Sequence, residues 1–344
     1  METNRDEGQI APFPLIPGSQ HGFIMESDIR TDIKTAGEAP CTVASGHDPA
    51  LTAGDYALDV IRQQTRRLGT LHGEVLKDDD VEPLHQLRVS LRRLRTALRQ
   101  FAPALVLPGS VSESRIGRVA RRTSLTRDLD VLRERLLQQL LPALPEKEQK
   151  AFRPALKRLA RDRAVAFEGL VEALNSSRYL KLLARLHKWQ GKPSYTELGH
   201  RSLRAWLFEW QVPIASSLFL HLGWFCDDPG SEQLHDLRKR IKAVRYSLDN
   251  LRPFLDPVVG DWIGDLEQAQ DHLGELHDLQ VLQHTLAAAD LPLKADGCPG
   301  LDREIERQAR DHWRHWQGLA ERLRSDAFRH GIQRHLLADR PFPR

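Results

Sequence analysis

Apolar residues recur at three- and four-residue steps through most of the chain from Leu51 onward, the spacing that places them on one face of an α-helix. The pattern predicts helices over 51–76, 82–105, 112–140, 146–174, 177–190, 196–225, 231–255, 260–288 and 300–336. Helix stoppers stand between them: Pro103 and Pro108, Pro142 and Pro145, Pro193, Pro229 with Gly230, Pro253 and Pro257, then Pro292, Gly297 and Pro299. Asp48 or Thr52 is placed to cap the first helix, Asp78, Asp79 and Asp80 read as a solvated turn, and Pro213 is expected to kink its helix. No run alternates with period two, so the expected fold is all-α with essentially no sheet. Residues 1–48 lack periodicity and read as a flexible tail, 337–344 as a second tail, and 49–336 as one helical domain.

The chain also repeats itself. Leu84-His85-Gln86-Leu87-Arg88 matches Leu234-His235-Asp236-Leu237-Arg238 at an offset of 150 residues. In the same register Arg92 meets Lys242, Arg95 meets Arg245, and Arg127-Asp128-Leu129-Asp130-Val131-Leu132 meets His277-Asp278-Leu279-Gln280-Val281-Leu282. Two separated blocks in one register indicate two copies of one helical unit, 51–190 and 196–336. They predict two similar antiparallel four-helix units.

Each copy carries two stripes on one helix. Leu84, Leu87, Leu91, Leu94, Leu98 and Phe101 form an apolar stripe, repeated by Leu234, Leu237, Ile241, Val244, Leu248 and Leu251. One residue later, and therefore about 100° around the helix, come His85, Arg88, Arg92, Arg95 and Arg99. Their counterparts are His235, Arg238, Lys242 and Arg245. Like charges at helical spacing repel by a few tenths of a kcal/mol per pair. A bound anion would relieve that repulsion, whereas a solvated basic face is the bland explanation.

Net charge is only +3, but it is unevenly spread. Residues 85–127 hold ten arginines and one acid, Glu113, while 260–288 carries Asp261, Asp265, Glu267, Asp271, Glu275 and Asp278. This polarisation marks an anion-binding surface. Arg118, Arg121, Arg122 and Arg127 extend it in the first half, and their counterparts Gln268, Asp271, His272 and His277 do not. The positive potential is therefore expected to be strongest beside the first half. Arg93, Lys239 and Tyr246 flank the stripes and complete the candidate set. Replacing Arg88 with Arg95, or Arg238 with Arg245, by alanine is expected to leave the protein folded. His85 and His235, at helix starts, are expected to bind anions more tightly when protonated.

Three widely spaced cysteines, Cys41, Cys226 and Cys298, fit a reducing compartment and exclude a disulfide or zinc framework. The longest apolar stretch, Val212 to Phe225, is too short to span a bilayer, and the expected location is the cytoplasm.

At these residues the sequence resembles the conserved histidine α-helical domain, or CHAD, family. The matching pieces are LHQLRVSLRRLRTALRQF (84–101), SLTRDLDVL (124–132), LNSSRYLKLLARLHKW (174–189), LHDLRKRIKAVRYSLDNL (234–251) and LGELHDLQVL (273–282). The resemblance implies two four-helix units related by a pseudo-twofold around a basic central cleft. It also implies non-catalytic binding of inorganic polyphosphate, often at polyphosphate granules, with no cofactor. An ExExK triphosphatase signature, found in some members, is absent: Glu304-Ile305-Glu306 is followed by Arg307 and Gln308.

Two other readings compete. Glu82-x-x-His85 and Glu232-x-x-His235, with Asp128 and Asp278, have the residue types of a carboxylate-bridged metal site. Arg88 and Arg92 nearby would oppose a divalent cation. Phosphate contacts alone would also give weak, sequence-independent nucleic-acid binding, with Tyr246, Trp206, Trp210, Trp313 and Trp316 available to stack on bases. Core packing is the simpler role for those rings, and no nucleic-acid-binding signature is present.

Overall fold

A computed structural model describes residues 51–288 and 298–337. The tail read over 1–48, residues 338–344, Cys41, Pro292 and Gly297 lie outside the described residues. Among those described, the chain forms twelve α-helices and no strand, only two isolated bridges. The first half holds α1 (Ala53–Lys77), α2 (Glu82–Gln100), α3 (Glu113–Arg122), α4 (Ser124–Arg135), α5 (Glu146–Ala151), α6 (Arg153–Asn175) and α7 (Ser177–Gly191). The second holds α8 (Leu207–Phe219), α9 (Glu232–Asp249), α10 (Pro257–Ala288), α11 (Pro299–Arg324) and α12 (Asp326–Leu337).

Local chemistry sets the ends. Thr52 caps α1, its hydroxyl accepting from the Asp55 N–H at 3.1 Å, and Asp48 lies outside the described residues. Asp78 closes α1 in the left-handed region at φ 56°. The aspartate turn is exposed, as its sequence implies. The Asp78 carboxylate accepts two bonds from Arg163, which also donates to Asp130 at 2.9 Å, tying α1 to α6 and α4.

Several expected helices are shorter or broken; 146–174, for one, divides at Phe152 into α5 and α6. The 196–225 stretch is helical only from Leu207 to Phe219, apart from short 3-10 turns, with Pro213 inside that helix. Its first residues instead lie against the start of α1. Ala53 N–H donates to Arg201 O and Gly54 N–H to Gly199 O, both at 2.9 Å. A Cβ on Gly54 would sit 2.6 Å from the Tyr195 ring, so no larger residue fits this approach. The 300–336 helix breaks at Ser325, whose hydroxyl caps α12 at Phe328 N–H. The 112–140 helix breaks at Thr123, for a reason that belongs to the site.

Helix pairing follows one order in both halves. In the first, α1 packs on α2 and α7, α2 on α3, α4 on α6, and α6 on α7. In the second, α8 packs on α9 and α12, α9 on α10, α10 on α11, and α11 on α12. Helices α3 and α4 together take the place of α10. Each half has its own apolar core. A third core joins them, with Leu132, Leu136 and Phe152 from the first half against Leu279, Leu282 and Ile305 from the second. The apolar stripes of α2 and α9 are fully buried, each large side chain contributing about 1.5–3 kcal/mol.

Candidate functional site

The polar stripe of α2 is buried against its neighbours at its start and reaches solvent toward Arg99. His85 has no exposed surface, so a ligand could reach it only if its surroundings moved. Arg88 is 5% exposed and points under the α3–α4 junction. There it donates to Ala120 O and Thr123 Oγ1, both at 3.1 Å, and to Ser124 Oγ at 2.9 Å. The Thr123 and Ser124 hydroxyls also turn back onto the Ala120 carbonyl, at 2.7 and 3.3 Å. Hydroxyls that compete for a helix carbonyl interrupt the ladder, and Arg88 satisfies the acceptors left at the break. This is why one expected helix becomes two. The expectation that Arg88 is dispensable for folding is therefore revised: its removal strips three bonds from a buried junction.

Further along α2, Arg95 pairs with Glu113 at 3.0 Å and exposed Arg99 lies 3.7 Å from the same carboxylate. Gly117 leaves room for Arg95, whose guanidinium carbon would lie 3.2 Å from any Cβ at that position. On α9, Arg238, Lys242 and Arg245 are buried, and Arg245 donates to Glu267 at 2.7 Å. Lys239 is exposed and pairs with Asp236 at 3.1 Å. Half-buried His235 lies 4.6 Å, ring to ring, from His277.

The two stripes meet where α2 packs on α9. Arg92 donates to the Tyr246 hydroxyl at 3.0 Å. The guanidinium carbons of Arg92, Arg93 and Arg245 stand 5.8, 5.8 and 4.7 Å from the centre of the Tyr246 ring. Tyr246 itself is 1% exposed, so it presents no face to a stacked base.

Arg127 is buried on α4, beside the equally buried Asp128 and Asp130. Burial pushes the Asp130 carboxyl above its ordinary range, opposed by Arg163 and Arg127. Deeper still, Arg135 bridges α4 to α10, 2.6 Å from Glu275 and 3.6 Å from Asp278. Charges buried this far need partners to be tolerated. This part of the repeat is an ionic joint between halves.

Arg118, Arg121 and Arg122 are not brought to the α2–α9 seam. With Arg115 they are exposed along α3 and line one wall of a groove of about 820 Å³. The other wall is the exposed face of α7, with Arg178, Lys181 and Arg185. Those three were absent from the sequence-derived set, although their spacing of three and four residues marks one helical face. A second groove of about 730 Å³ lies among α2, α8 and α9. There Arg99, Lys239 and Arg240 face Glu209 and Asp236, so its charge is mixed.

Among the described residues, no group of three or more His, Cys, Asp or Glu side chains is placed to hold a metal ion. None of their helices is long and apolar enough to cross a membrane. Of the tryptophans, Trp316 is in the second core and Trp210 donates to Gln100 O at 3.1 Å, while Trp206 is partly exposed.

The fold and these surfaces define an all-α protein of two similarly paired helical halves, with cations concentrated on the repeated helices and on α3 and α7. The CHAD domain family model matches residues 59–287, and the chain belongs to that family. Among solved structures, the CHAD domain from the plant Ricinus communis shares 20% identity at a TM-score of 0.55, over 88% of this chain and 98% of that one. PptA from Streptomyces chartreusis shares 19% at a TM-score of 0.55, over 82% and 100%. No curated protein matches the chain.

Proposed function

We propose that the protein binds inorganic polyphosphate without transforming it. The observation that carries this reading is the convergence of Arg92, Arg93 and Arg245, from two helices, on the single ring of Tyr246. Glu267 offsets part of this charge through Arg245; like charges held this close still repel, and a chain of phosphates relieves the remainder. Arginine suits that ligand because its planar fork gives two parallel bonds to phosphate oxygens. The ligand class implied by the CHAD resemblance points the same way, and the chain shows no nucleotide-binding loop or nucleophile–base motif.

A titration with polyphosphate of defined length at two salt concentrations tests the reading. Six to ten phosphate contacts give a log–log salt slope of about −5 to −9 by analogy with nucleic acids. A slope near zero, or phosphate released by clean protein and abolished by a site mutation, contradicts it. RNA that competes as well as polyphosphate at equal charge would reassign the ligand.

A further inference from the structure

The groove between α3 and α7 differs from the mixed-charge groove among α2, α8 and α9. Its walls carry seven cationic side chains, four arginines from α3 and Arg178, Lys181 and Arg185 from α7, and no acid lines it. Among the described residues none of the seven forms an ion pair. Some arginines elsewhere are neutralised within a turn or across a seam: Arg310 by Glu306, Arg322 by Asp265, Arg329 by Asp326. The seven therefore leave a concentrated positive field over an apolar floor of Val119, Ala173 and Leu182.

We propose that this groove is a second phosphate site, separate from the α2–α9 seam, that seats a short run of condensed phosphate. The proposal rests on the reading that the protein binds condensed phosphate at all. Its size, about 820 Å³, is that of a small-molecule pocket, which fits an oligophosphate or one segment of a longer chain. The chemistry excludes the other common polyanions. Single-stranded nucleic acid needs aromatic faces to stack on, and the one ring in the wall, Tyr179, is 1% exposed. An acidic peptide needs partners for its backbone N–H and C=O groups, and the lining offers little beyond charge. Seven cations without an acid leave no site for a bridging divalent ion, so the phosphate oxygens meet guanidinium and ammonium groups directly. The first turn of α7 adds to this. Ser176 accepts from Tyr179 N–H, leaving earlier N–H groups at the groove's end.

Calorimetric titration of the full chain with tripolyphosphate, long-chain polyphosphate and RNA of matched charge tests the site. Lys181→Gln with Arg185→Gln removes two exposed groove cations, and circular dichroism checks the fold. Arg310→Gln with Arg314→Gln, two exposed arginines of α11 outside both sites, is the control. The groove variant should lose at least about tenfold in tripolyphosphate affinity, and its long-chain salt slope should fall by about 2. The control variant should keep its tripolyphosphate affinity, and a Lys181→Arg, Arg185→Lys variant should bind like the parent. If the parent binds only the long chain, a shallower slope in the groove variant still supports the site, as a seat for a chain segment. Unchanged binding of every phosphate in the groove variant overturns the site and leaves polyphosphate binding at the seam standing. Failure of the parent to bind either phosphate overturns both. A larger loss for RNA than for tripolyphosphate overturns the assigned ligand class.

Discussion

Where α10 runs unbroken through Leu273 and Gly274, the first half breaks into α3 and α4 at the matching Thr123 and Ser124. The two halves pair their helices in one order yet differ at this junction, and the charge around it differs too. Arg115 in the first half corresponds to Asp265 in the second, and Asp265 is held by Arg322 of α11 at 2.6 Å. Gly117 corresponds to Glu267, the partner of Arg245. One copy keeps acids on the helix that covers its arginine stripe. The other has few acids there, a broken helix, and cations that face α7. A duplicated unit can thus hold its core and repurpose its polar faces independently, because the apolar stripe and the polar stripes occupy different sides of the same helices.

The comparison is broken most forcefully at Arg88. Arg88→Ala should destabilise the protein by about 2–4 kcal/mol, since it removes charge-assisted bonds and leaves buried acceptors at the α3–α4 break. Denaturant unfolding measures the loss. A variant as stable as the parent would show that the hydroxyls of Thr123 and Ser124 hold the break alone.

Converting one wall of the first half into the second sharpens the charge difference. Arg115→Asp, Arg118→Gln and Arg121→Asp install the residues found at 265, 268 and 271. Polyphosphate affinity should fall by about 2 kcal/mol, roughly thirtyfold, with the discount for solvent screening included. Because all three side chains are exposed, stability should change little. Equal affinity would mean that α3 contributes nothing to binding.

How much of this was legible from residues alone depends on distance along the chain. The stripes of α2 and α9, the cap at Thr52 and the all-α fold follow from local periodicity, and all are present. Depth was not legible. A residue placed 100° from the apolar stripe lies on the helix flank, and only the packing of α3 and the start of α4 on that flank buries Arg88. The break at Thr123 was missed because apolar spacing continues across it and the interrupting hydroxyl bonds involve Arg88 from 35 residues away. The groove was half visible. The α3 arginines stood out as a charge run, but their partners on α7 lie more than fifty positions later in the sequence.

Gly117→Glu, which copies Glu267 into the first half, should have a smaller effect. Stability should stay within about 1 kcal/mol, because loss of a helical glycine offsets the shift demanded of Arg95. The new carboxylate should still weaken polyphosphate binding at low salt. A loss of several kcal/mol would show that the Arg95 guanidinium cannot move.

The smallest effect concerns pH and again separates the halves. Arg122 is exposed and permanently charged, whereas its counterpart His272 titrates in a crowded seam. His272 Nδ1 lies 3.2 Å from His312 Nδ1 of α11, and the His272 and His315 rings stack 5.2 Å apart. Only one of two nitrogens that close can carry the shared proton, so full protonation breaks the contact. Burial lowers the pKa of His272, helped by His312 and His315, with Glu275 opposing. Burial also lowers that of His312, where Glu275 and Asp311 oppose, and Arg135 and His315 assist. A histidine whose folded value is depressed takes its proton first in the unfolded chain. Its contribution is therefore complete above about 6.5 and is lost as pH falls from there through the folded value. Melting temperature should decline between pH 7.5 and pH 6, and His272→Gln should flatten that decline. Asp130, whose raised pKa acts in the opposite sense, is common to parent and variant, so comparing the two isolates the His272 contribution. An equal decline in parent and variant would assign the pH sensitivity elsewhere, with His221, whose pKa is lowered by burial and by Arg240, the next group to replace.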